Sequence, residues 1–197
     1  MFKTTVILLA VTFISAALVF AEDKKVEASA KFVKTDDKTQ GAWKTVYGTE
    51  GYDIMADSNS YPKYVKVTPA DKQDYTWADT SDDARALKKG AADAKDGIAA
   101  CWYSENPWSI DINFTDEAEH QVAIYCLDWD TETREMTVEV QNGDGGAKLD
   151  SQTVKGFNKG RYLVWTLKGH VKLQITNGGT PNTVVSGIFF DPVKAAK

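Results

Sequence analysis

The chain has 197 residues and a formal net charge of −5, with 23 Lys and Arg against 28 Asp and Glu. Its lysines are scattered among acids rather than clustered, which excludes an electrostatic nucleic-acid surface and a footprint for an anionic membrane. Its two histidines, His120 and His170, each begin an expected strand and show no metal-ligand spacing.

Met1 to Ala21 carries Lys3, an apolar run from Val6 to Phe20, and Val19-Phe-Ala21 ahead of Glu22. This is the three-part layout of a secretory signal peptide. The run falls short of the about 20 residues of a bilayer span. Cleavage is therefore expected rather than anchoring, leaving no membrane span and a secreted product, extracellular or periplasmic. Glu22 to Lys31 reads as a flexible lead-in, residues 32–191 as one domain, and 192–197 as a tail.

Within the domain, short strand signals alternate with turn residues. Lys31–Lys34 begins the first strand, and Asp36–Gly41 and Gly48–Gly51 are turn-rich. Tyr52–Met55, Tyr64–Val67 and Tyr75–Trp77 are strand candidates. Ser81–Asp96 offers an N-cap at Ser81 but only Leu87 as a large apolar residue, so a brief helical turn or an irregular loop is expected. Ile98–Tyr103 and Trp108–Phe114 follow. Val122–Leu127 is apolar at nearly every position, as in a strand covered on both faces. Met136, Val138 and Val140 alternate with Glu135, Thr137 and Glu139, as in a strand with one wet face. The two strands read as a central hairpin around the acidic, aromatic loop Asp128–Arg134. Asn142-Gly-Asp-Gly-Gly146 is a second hairpin signal. Lys148–Val154, Arg161–Leu167, His170–Ile175 and Thr183–Phe190 complete the series. Many short strands with little helix mean an all-β antiparallel sandwich or barrel.

Several words resemble one module in their order along the chain. They include Gln40-Gly-Ala-Trp43, Tyr75-Thr-Trp77, Arg85-Ala-Leu87, Ala100-Cys-Trp-Tyr103, Leu127-Asp-Trp-Asp130 and Val185-Ser-Gly-Ile-Phe-Phe190. The module is the galactose-binding-like, carbohydrate-binding jelly roll of secreted environmental bacterial proteins, of the kind appended to glycoside hydrolases. The resemblance spans about Phe32 to Phe190. It implies a jelly-roll β-sandwich and a glycan or polysaccharide as partner, and it carries over no residue-level sugar site.

Sugar-binding sandwiches need flat rings to stack on pyranose faces and polar side chains to bind hydroxyls. Asp128, Trp129, Asp130 and Arg134 offer both in one loop, and Trp108 and Tyr61 beside prolines are further candidates. The alternative for the loop is that Trp129 folds onto the core and Arg134 pairs with a neighbouring carboxylate. Trp43, Trp77, Trp102 and Trp165 read as core. Asp128, Asp130 and Glu132 at alternate positions suggest a structural calcium ion, against a solvated acidic loop. The glycine of a twelve-residue calcium loop is replaced by Thr133. Otherwise no cofactor is expected. Cys101 and Cys126 permit one disulfide in an exported chain, the alternative being two buried thiols.

No catalytic motif stands out, so the leading expectation is a secreted, non-catalytic glycan-binding protein. A structural or adhesive protein of the cell envelope, binding protein or itself, is the alternative. A glycoside hydrolase would need a carboxylate pair about 5–10 Å apart.

Overall fold

The computed structural model describes residues 26–193. The expected signal peptide, and parts of the lead-in and tail, lie outside the described residues. Three antiparallel sheets, their strands numbered in chain order, make up nearly all the regular structure. The first runs β1 (Ser29–Asp36), β12 (Arg161–Lys168), β9 (His120–Cys126), β15 (Gly187–Pro192), β2 (Gly51–Ile54), β3 (Ser58–Ser60). The second runs β11 (Lys148–Lys155), β10 (Glu135–Asn142), β13 (His170–Asn177), β8 (Trp108–Phe114), β4 (Val65–Ala70). The third runs β14 (Thr183–Val185), β7 (Gly97–Ser104), β5 (Gln73–Ser81), with β6 (Leu87–Lys88) also paired to β7. One hydrophobic cluster draws side chains from all three sheets, which makes the fold the all-β sandwich expected from the strand pattern.

Residues 81–96 form no helix: they hold β6 and turns. With Leu87 as the sole large apolar residue, a helix there would have no face to bury. A short 3-10 turn at Trp43–Thr45 is the only helical element among the described residues.

The chain changes sheets repeatedly between β8 and β15, as jelly-roll connections do. One change corrects the reading of residues 120–141. β9 and β10 are not a hairpin, because β9 lies between β12 and β15 while β10 lies between β11 and β13. The burial patterns give the reason. β9 is buried at all seven positions and so must be covered on both faces. β10 alternates buried and half-exposed, and belongs to a sheet with one wet face. Asn142–Gly146, by contrast, does join the paired strands β10 and β11.

On the inner side of the first sheet, Trp165 reaches across to β11 and donates its indole N–H to Asp150 at 2.7 Å. On the outer side an aromatic layer forms, with Tyr162 against Tyr47 at 4.5 Å and Tyr125 at 4.6 Å between ring centroids. Segments 40–48 and 85–88 close over it: Tyr125 donates to the Arg85 carbonyl and Trp43 to that of Lys88. Gly160 is obligatory under this layer. Its φ is +81°, and a Cβ there would lie 1.8 Å from the Tyr125 hydroxyl oxygen.

Cys101 and Cys126 are both buried and unbridged, the arrangement of two packed thiols. Cys101 belongs to the third sheet and Cys126 to the first, so pairing does not bring them together. Burial pushes the Cys101 thiol up to about 12 and raises that of Cys126 as well. Thiol titration of the unfolded protein should therefore find two reactive groups, and reductant should leave the melting temperature unchanged. Finding no thiols would contradict this packing.

His170, first residue of β13, ties the second sheet to the β10–β11 turn. Its two ring nitrogens lie 2.8 Å from Asp111 and 2.8 Å from Asp144. Partial burial disfavours its charge, but the hydrogen bonds to Asp144 and Asp111 outweigh that and raise its pKa above 6.5. A group raised on folding stabilises fully below its unfolded pKa, and the effect is lost as pH rises through the folded value. His170→Gln should thus lower the melting temperature more at about pH 6 than at about pH 9. Equal losses at both would show that the ring is held by shape alone.

Candidate functional site

The crossover from β9 to β10 is built around Asp128. Its carboxylate, 1% exposed, accepts from the Thr131 amide at 3.2 Å, the Thr131 hydroxyl at 2.8 Å and the Arg134 amide at 3.1 Å. The Arg134 guanidinium closes the ring, with Nη1 donating to both Asp128 and Asp130 and Nε donating to Asn182 Oδ1 at 2.8 Å. Burial opposes the Arg134 charge, but Asp130 and Asp128 outweigh it and its pKa rises. A buried carboxylate with this many donors fixes backbone and is not free to bind a ligand.

The proposed ligand set therefore divides. Asp128 is buried and committed to the loop. Trp129 is half-buried, and one face of its ring carries the Arg85 guanidinium, 4.5 Å from the centroid. Arg85 is itself clamped by Asp83 and by the Asn158 carbonyl at 3.0 Å, so that face is closed. Trp108 is 1% exposed and donates to Thr183 Oγ1 at 2.7 Å, which removes it from any surface. It shares a β8 face with Ile110, Ile112 and Phe114, all buried, and strand alternation carries it inward with them. Tyr61 gives its hydroxyl hydrogen to the buried Asp53, and its ring meets that of Phe190 edge to face. Glu132 does not converge with Asp128 and Asp130 as calcium ligands would. It accepts from Asn158 at 3.1 Å, while the two aspartates share a guanidinium. Among the described residues no group of three or more His, Cys, Asp or Glu is arranged to hold a metal ion.

Asp130 and Arg134 remain, and they line a cleft of about 270 Å³ on the open face of the third sheet. The sequence reading missed the rest of this cleft. Pairing sets Tyr75 opposite Cys101 and Gln73 opposite Tyr103, so Gln73, Tyr75, Cys101 and Tyr103 share one face. The diagonal neighbours Tyr75 and Tyr103 meet edge to face at 6.2 Å, and Tyr75 meets Trp77 likewise at 5.7 Å. Tyr75 is 51% exposed, one of three large apolar side chains on the described surface to stand so far out. Trp77, read as core, is half-buried against it and also borders the cleft, with the Arg134 guanidinium 5.7 Å from its ring centroid. Glu105 and Asn182 complete the polar rim.

Two features fix the chemistry of that rim. Arginine only donates, so the Asn182 oxygen must face Arg134 and its amide N–H₂ is left for the cleft. Partial burial disfavours the Asp130 charge, but hydrogen bonds from Arg134 and the Trp77 indole prevail and hold its carboxyl below the usual range. It is therefore an anion, and an acceptor, throughout the neutral and mildly acidic range. The cleft thus offers aromatic faces, a carboxylate acceptor beside an amide donor, and an inert thiol at its floor.

No family model matches the chain, and no curated protein matches it in sequence. Among solved structures, a carbohydrate-binding module in complex with β-1,4-galactotriose is similar, at 14% identity and a TM-score of 0.33. The match covers 79% of this chain and 97% of the other. At that score the architecture described above rests on the strands of this chain alone.

Proposed function

We propose that the chain is an exported, non-catalytic carbohydrate-binding protein, and that its glycan sits in the cleft of the third sheet. The observation that carries the reading is the exposed ring of Tyr75 between Trp77 and Tyr103, in a cleft that Asp130 and Asn182 also line. Aromatic faces match the weakly polar faces of a pyranose, and a paired acceptor and donor match neighbouring hydroxyls. At about 270 Å³ the cleft falls just short of the about 300 Å³ at which small-molecule sites start. It suits one sugar ring, with the rest of the glycan outside. Export is part of the proposal and rests on the layout of Met1–Ala21. N-terminal sequencing of the protein recovered from outside the cytoplasm would begin at Glu22.

Pull-down with insoluble polysaccharides, followed by calorimetry with soluble oligosaccharides, tests the function. Binding with a Kd between about 10 μM and 1 mM is expected, which corresponds to about 4–7 kcal/mol. If no glycan binds at millimolar concentration and the protein self-associates instead, the adhesive alternative replaces this reading.

A further inference from the structure

We infer that the cleft selects uncharged sugars and rejects uronic acids and sulfated sugars. The inference rests on the carbohydrate reading above and adds the chemical class of the ligand. Two carboxylates, Asp130 and Glu105, lie on the cleft wall, and Glu105 is exposed. Behind them Asp128 adds a third negative charge, 1% exposed and so little screened by water.

Among the described residues, Arg134 is the only cation that lines the cleft. Its Nη1 is committed to Asp128 and Asp130 and its Nε to Asn182. One positive charge therefore stands against three negative ones. Lys72, just before β5, brings no relief. Its Nζ lies 2.6 Å from Asp74 and 5.0 Å from the ring centroid of Trp102. Asp74 and Trp102 are a register pair on the opposite face of the sheet from Tyr75 and Cys101.

Carboxylates only accept hydrogen bonds, so whatever meets Asp130 and Glu105 must donate. A hydroxyl does so. A uronate carboxylate or a sulfate ester brings acceptors and a like charge to the same wall, where the charge of Arg134 is already balanced by Asp128 and Asp130. The arrangement of a sugar-sized aromatic cleft with an anionic rim thus discriminates at the exocyclic position, where neutral hexoses and their uronates differ.

The test compares a neutral hexose oligosaccharide with the uronic-acid oligosaccharide of the same ring stereochemistry, linkage and length. Calorimetry is run on the full mature protein at low and at moderate salt. The neutral ligand should bind at least tenfold more tightly at low salt, and added salt should narrow the gap by screening. Glu105→Gln and Asp130→Asn should each narrow the gap further, read as the ratio of the two Kd values. Uronate binding that equals or exceeds neutral binding would overturn the inference while leaving the carbohydrate reading intact. Binding of neither ligand class, across a panel of stereochemistries, would remove both.

Discussion

Replacing Asp128 with alanine should destabilise the fold by about 3–5 kcal/mol, the loss found when one partner of a buried ion pair is removed. In a chain of this size that is a fall of about 6–20 °C in melting temperature. The variant leaves Arg134, 5% exposed, with a charge that only the partly exposed Asp130 still balances. It also orphans the amides of Thr131 and Arg134 that Asp128 accepts from. Asp128→Asn keeps an acceptor for those amides and should lose less. The double variant Asp128→Ala, Arg134→Leu removes both charges and should be more stable than the single one. A loss under about 1 kcal/mol for Asp128→Ala would mean that other contacts hold the crossover. Chemical denaturation with an unchanged slope would read the difference directly.

The second large effect is on binding. Tyr75→Ala should weaken glycan affinity about 10- to 30-fold, from about 1.5–2 kcal/mol of ring area buried against the sugar. It should do so with little change in stability, because the ring is half exposed and its contacts are edge-on to Trp77 and Tyr103. Tyr75→Phe keeps the stacking face and should stay within a few-fold of the natural chain. An alanine variant that binds as well as the natural chain would move the site away from the third sheet. The same substitution separates the two neighbouring surfaces, since Trp129, under Arg85, lies outside the cleft lining.

The strands were legible because their signals are local. Alternation in Glu135–Gln141, the continuous apolar run of β9 and the glycines after Asn142 each mark an element without reference to the rest of the chain. Sheet membership was not legible, because it depends on where the crossovers land. Residues 127–134 join two sheets although the segment has the length and polarity of a hairpin loop. The loop also misled on exposure. Its composition is polar, yet Asp128 and Arg134 are buried because they satisfy each other, the alternative already open for Arg134. Trp108 was misread from its proline neighbour, although its parity with Ile110, Ile112 and Phe114 pointed inward. Trp77 does pack against the core, but only in part, and the average burial of tryptophan hid the edge it gives to the cleft. The signal that was available is the period-two series Gln73, Tyr75, Trp77, with a polar first member and an aromatic that β7 matches at Tyr103. Only the register, Gln73 with Tyr103, brings those residues to one face.

The most direct measurement is an amide-resolved NMR titration of the mature protein with the best-binding oligosaccharide from the polysaccharide panel. Shifts should concentrate at residues 73–77, 101–105, 130–134 and 182–184, which bound the cleft from four segments of chain. Saturable shifts gathered instead around Trp129, Arg85 and Asn158, or along β10 and β11, would contradict the assignment of the cleft as the glycan site.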